Sequence, residues 1–147
     1  MFHECICLGL PSLAGHSLPQ ALAKARELGF QSVMALPDGP NATHSLGPFP
    51  TLGYGDPAMR GQLRELLGGF SRVSIHQAWN QDWQSWVDCA ELVGAQVVTV
   101  HAGPCEGAVD EWLAATTCHW RSVGDYAQAH GIRIGVENEG GLRDTYL

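Results

Sequence analysis

Gln96-Val97-Val98-Thr99-Val100-His101-Ala102-Gly103 is apolar and β-branched until it meets an imidazole, and then it breaks at Ala-Gly. Residues branched at Cβ suit a pleated strand, and a run apolar at successive positions suits a parallel strand covered on both faces. The segment before it has the period of a helix. Trp83, Trp86, Val87, Ala90 and Val93 share one face and stop at Gly94, with Asn80 or Asp82 as the opening cap. After it, a longer helical segment runs from Asp110 to His130-Gly131, and a second strand-like run, Ile132 to Glu137, follows. Helix, strand, helix, strand in this order is the signature of βαβ units and a parallel sheet.

The same alternation extends toward the N-terminus. Arg72 to His76, Ser32 to Leu36 and Ile6 to Leu10 read as three further strands. Asp56-Pro57 opens a helix through Leu63, Leu66 and Leu67 that Gly68-Gly69 closes. Ser17 caps another, with Pro19 in its first turn, Gln20 placed for a capping box and Gly29 at its end. The Gly- and Pro-rich stretch from Asp38 to Gly55 reads as a long loop after the second strand, of the kind that covers ligand sites. Five strands can close as an open doubly wound sheet or as part of a barrel. No G-x-G-x-x-G follows the first strand and no Walker-type lysine loop is present, which counts against the nucleotide-binding open sheet.

Composition narrows the function classes. The chain has 147 residues, 45% of them hydrophobic, enough for one domain with a sizeable core. Its apolar runs are short, so no membrane span is expected. Eight Lys+Arg against fifteen Asp+Glu leave a net charge of −7 with no basic cluster, which counts against a nucleic-acid partner. The start lacks a secretory signal, and the five cysteines are odd in number with no Cys-x-x-Cys pair. Reduced thiols and a cytoplasmic location follow as the expectation.

Chemistry in parallel β/α folds gathers at the carboxyl ends of the strands. Three successive strands end in His76, His101 and Glu137. Two imidazoles and a carboxylate are a first shell for a divalent ion, and neighbouring strands only about 4.8 Å apart let such side chains converge. Each residue alone has a simpler reading, the histidines as loop-edge residues and Glu137 as a cap of the next turn. The coincidence over three consecutive strands favours the metal. Trp79, just after His76, either lines a sugar with its ring face or packs on the next helix. Alternating His3, Cys5 and Cys7 suit a soft metal less well than a buried strand face, and Cys118-His119 point apart on their helix.

Leu92 to Gly103 resembles the fourth-strand region of the xylose-isomerase-like barrel superfamily, and Ala127 to Asn138, with Gly131-Ile132 and Val136-Glu137-Asn138, resembles its fifth strand. Ser17 to Leu36 is similar to its first helix and second strand. The superfamily includes sugar-phosphate isomerases and epimerases, inosose dehydratases and an AP-endonuclease branch. The resemblance implies an α/β fold, a partial (β/α)8 TIM barrel of about five units filling residues 1–147. It implies that Glu137 binds a divalent metal (Mn, Zn, Co or Mg) and serves as the catalytic acid/base, and that His76 and His101 bind metal or substrate beside Trp79. The substrate implied is a small sugar or sugar phosphate, isomerised or epimerised by proton transfer through an enediolate next to a metal-polarised carbonyl. In the endonuclease-like branch the same three residues imply a zinc phosphodiesterase.

Two departures from the family pattern matter. The second strand ends Val33-Met34-Ala35-Leu36, without the glutamate of many relatives, and the chain stops at Leu147 after the fifth strand. A full barrel takes about 250 residues. The expectation is therefore a truncated barrel, with open sheet edges that invite self-association or a completing chain, and an inactive remnant as the third functional reading.

Overall fold

A computed structural model describes residues 6–38, 43–44, 47–78, 82–103 and 107–137. Its main sheet holds β1 (Cys7–Gly9), β2 (Ser32–Ala35), β5 (Arg72–His76), β6 (Val97–His101) and β7 (Arg133–Glu137), in that spatial order. Every neighbouring pair is parallel. The helices between them are α1 (Leu18–Glu27), α2 (Pro57–Arg60) with α3 (Leu63–Leu67), α4 (Trp83–Val93) and α5 (Val109–Ala129). Each new strand is added on the same side of the last, whereas a doubly wound sheet reverses its order at a switch point. The fold is α/β, a partial (β/α)8 barrel of five strands.

The two sheet faces differ as strand alternation demands. Val33, Ala35, Ile75, Val98 and Val100 are fully buried and pack with Leu22, Leu63, Val87 and Ala90 of the helices. The alternate residues, Ser74 and His76 on β5 and Thr99 and His101 on β6, are only half-buried on the opposite, barrel face. Arginines join neighbouring helices by donating to carbonyls near helix ends that have no intrahelical partner. Arg26 bonds the Leu66 carbonyl at 2.6 Å and Arg64 bonds the Leu92 carbonyl at 2.6 Å.

Most local punctuation falls where the residue types require it. Gln20 accepts the Ser17 N–H at 2.9 Å, the backward half of a capping box. Asp82, rather than Asn80, caps α4 by accepting the Ser85 N–H at 2.8 Å; Asn80 itself lies outside the described residues. Gly94 closes the same helix at φ 73°, and Gly29 and Gly131 follow α1 and α5 at φ 81° and 72°.

Several boundaries differ from expectation. The first strand stops at Gly9, because Leu10 enters a 3-10 turn (Leu10–Leu13) in which Pro11 has no N–H to give a ladder. The helix expected from Asp56 to Gly68 is two short helices, the first capped at Gly61. Asp110 lies in the first turn of α5 rather than at its cap, which is Ala108. Leu36 leaves β2 and forms a parallel bridge with Thr51, while Leu52 and Tyr54 donate to the Leu36 and Pro37 carbonyls. The long loop is therefore stitched back along the end of its own strand. It also contains a two-residue antiparallel pair, β3 (Thr43–His44) with β4 (Gly47–Pro48), and Pro48 accepts the Gly15 N–H at 2.9 Å. Among the described residues no helix is long and apolar enough to cross a membrane.

Candidate metal centre

The strand register that makes the sheet also assembles the site. His101 stands directly opposite Glu137 across β6 and β7, and His76 stands opposite Thr99, two residues earlier on β6. All three side chains fall on the barrel face because each is an even number of residues from its half-buried strand neighbours. Their ligand atoms lie within 4.8 Å of one another. His76 Nε2 is 3.7 Å and His101 Nδ1 is 3.9 Å from the same Glu137 oxygen, Oε2. The two rings meet edge to face at 4.9 Å.

The His76 side chain is 12% exposed and that of His101 22%, against 45% for Glu137. The imidazoles are thus walled by protein while the carboxylate faces outward. His76 Nδ1 lies 3.1 Å from the Gln77 carbonyl, and an N–H donated there leaves Nε2 as the lone-pair nitrogen toward Glu137. That tautomer is the one a metal ligand requires.

The donor set fits a divalent transition ion. Separations of 3.7 and 3.9 Å are too long for direct hydrogen bonds. They are close to the spacing of about 3.4 Å between two ligand atoms that each sit about 2.1 Å from one tetrahedral ion. Imidazole with carboxylate suits Zn, Mn or Co better than Mg, which prefers oxygen and retained water.

Gln77 escaped the sequence reading. Its Oε1 accepts the His101 N–H at 2.9 Å, and its own N–H donates to the Thr99 carbonyl at 2.8 Å. A polar residue immediately past a histidine-ending strand was the available signal. Trp79, the expected sugar wall, lies outside the described residues, as do His3, Cys5 and Asn138. Cys7 is exposed rather than buried, since it faces the open barrel side with Ser74 3.9 Å away. Cys118 is exposed and the His119 ring meets that of Trp120 edge to face at 4.7 Å, so the pair does not converge.

No family profile matches the chain, and no curated protein matches it. Among solved structures it is similar to a D-tagatose 3-epimerase-like protein, with a TM-score of 0.67 and 19% identity. The match covers 93% of this chain and 54% of that one, so the chain spans about half the length of that structure. At this identity the likeness is one of fold.

Proposed function

We propose that this chain is a sugar or sugar-phosphate isomerase/epimerase-like domain that depends on a divalent metal. The observation that carries the proposal is the convergence of His76, His101 and Glu137 at the carboxyl ends of three adjacent strands. The fold it shares with a D-tagatose 3-epimerase-like protein supports the substrate class. His76 Nε2, His101 Nδ1 and Glu137 Oε2 would hold the ion, which when bound supplies Lewis-acid polarisation of a carbonyl. Both histidines approach Oε2, so Oε1 of Glu137 is left to take a proton from the carbon beside that carbonyl and to return it. His76 and His101 would also border the substrate, and Trp79 would offer a ring face to the sugar. The edges at β1 and β7, which pair with no further strand among the described residues, would take a second copy or a completing chain.

Calorimetric titration of the chain with Mn, Co or Zn tests the site. Glu137→Ala is expected to lower affinity by a hundredfold or so, as loss of a charged ligand should. Equal binding by both forms sinks it. Proton exchange from D2O into D-tagatose, followed by NMR, tests the chemistry, and metal-dependent cleavage of an abasic DNA duplex without such exchange would instead favour the phosphodiesterase.

A further inference from the structure

The barrel face that carries His76, His101 and Glu137 at one end opens on a cavity of about 430 Å³ at the other. Cys7, Ser32, Arg72, Ser74, Val97 and Arg133 border it. Ser74 and Arg72 alternate in step with His76, Val97 with His101, and Arg133 with Glu137, so all project from the same sheet face. Arg72 to His76 and Arg133 to Glu137 are each four residues. At about 3.3 Å per residue the two ends are roughly 13 Å apart.

The arginines here differ from three others among the described residues. Arg26, Arg60 and Arg64 each donate to a backbone carbonyl, and two of them also cover an aromatic ring. The Arg72 and Arg133 guanidiniums have no hydrogen-bond or carboxylate partner among the described residues. They rise from β5 and β7, two strand spacings apart, and Arg133 is in register with Ser74, two residues beyond Arg72, so their origins are roughly 12 Å apart, a gap that two extended side chains can close from opposite sides. Level with Arg72 on the adjoining strand β2 is Ser32, the one polar residue in the described core, only 6% exposed. Its hydroxyl lines the cavity and has no hydrogen-bond partner among the described residues. In a chain of net charge −7, two guanidiniums without partners among the described residues and the Ser32 side chain border one cavity, a combination suited to an anion.

We propose that this cavity binds a phosphoryl dianion, as inorganic phosphate or a small phosphate monoester, at a site separate from the histidine–glutamate cluster. Guanidinium forks match phosphoryl oxygens in pairs, and the hydroxyl of Ser32 donates to a further oxygen. The volume leaves room for a small organic group on the phosphate. The separation of roughly 13 Å places the anion beyond the reach of a substrate's reacting carbon at Glu137, so the site is one for an effector.

Titration of the intact chain with inorganic phosphate, and separately with glycerol 3-phosphate, at constant ionic strength tests this. Saturable binding is expected, with amide shifts moving at Ser32, Ser74 and Val97 in NMR spectra. Arg72→Gln and Arg133→Gln should each weaken binding by about tenfold or more, since each removes a charged hydrogen-bond donor. Both side chains are exposed, so neither substitution threatens the core. Glu137→Ala should leave phosphate binding unchanged, which keeps this result apart from the fate of the metal site. Tighter binding of glycerol 3-phosphate identifies an ester as the ligand, and equal binding identifies phosphate itself. Wild-type affinity in the double arginine variant, or shifts confined to other residues, would overturn the proposal.

Discussion

Gln77 holds two strand ends together by accepting the His101 N–H and donating to the Thr99 carbonyl. Its own carbonyl faces His76 Nδ1. One residue therefore sets the height of one histidine and the tautomer of the other. Gln77→Ala keeps the backbone contacts but frees the His101 amide. Metal affinity is expected to fall by about tenfold with the far-ultraviolet dichroism unchanged, the usual scale for losing a contact behind a ligand. Cys89 offers a second test at this scale. It has no exposure, and burial chiefly, then the charge of Asp38, pushes its thiol from 9.0 up to about 12, against the opposing charge of Arg60. The folded chain keeps that proton where the unfolded chain releases it, so stability is lost as pH rises from 9.0 toward 12. Cys7, Tyr54 and Tyr126 are raised as well and act in the same direction. Urea midpoints should fall steadily above pH 9.0, and less steeply in Cys89→Ala. Peptide mapping after brief alkylation should find Cys118 modified and Cys89 intact until the chain is denatured.

At the scale of the element, α4 is bounded by two signals with separate physical origins. Asp82 satisfies the Ser85 N–H, and Asp82→Ala should cost about 1 kcal/mol by chemical denaturation. Gly94 sits at φ 73° with no atom within 4 Å of where a Cβ would stand. Gly94→Ala is therefore penalised by backbone conformation alone, again by about 1 kcal/mol, and the two losses at opposite helix ends should add. Such caps were legible in the sequence because they are encoded within three or four residues. The break of the second helix at Gly61 was not, since a lone glycine inside an apolar stripe is compatible with either outcome. The bridge from Leu36 to Thr51 was equally hidden, because it depends on where the loop returns in space. His76, His101 and Glu137 could be read as a group because parallel strands in register put successive ends side by side. Arg72 and Arg133 gave no such hint. They open their strands, and only the assembled sheet shows that they border one cavity.

At the scale of the whole molecule, the five parallel strands among the described residues form a linear sheet. Among the described residues β7 pairs with β6 on one side alone, and β1 pairs with β2 alone. A parallel strand is built to be covered on both faces and bonded along both edges. Val136, on β7, differs in burial from the strand beside it. Its counterpart in register, Val100 on β6, is fully buried, whereas Val136 is 49% exposed. Beside it a groove bordered by Trp120, Gly124, Ile132 and Ile134 runs between α5 and the strand. The second copy or completing chain proposed for this edge would cover that apolar surface. Sedimentation velocity over a concentration series should resolve species larger than the 147-residue chain as concentration rises. Val136→Lys should return the distribution toward monomer, because a lysine on an edge strand must be desolvated before another strand can pair. The two arginine substitutions, on the opposite face of the sheet, should leave the distribution unaltered. A single concentration-independent species, identical in Val136→Lys, would show that the edge is closed by other means.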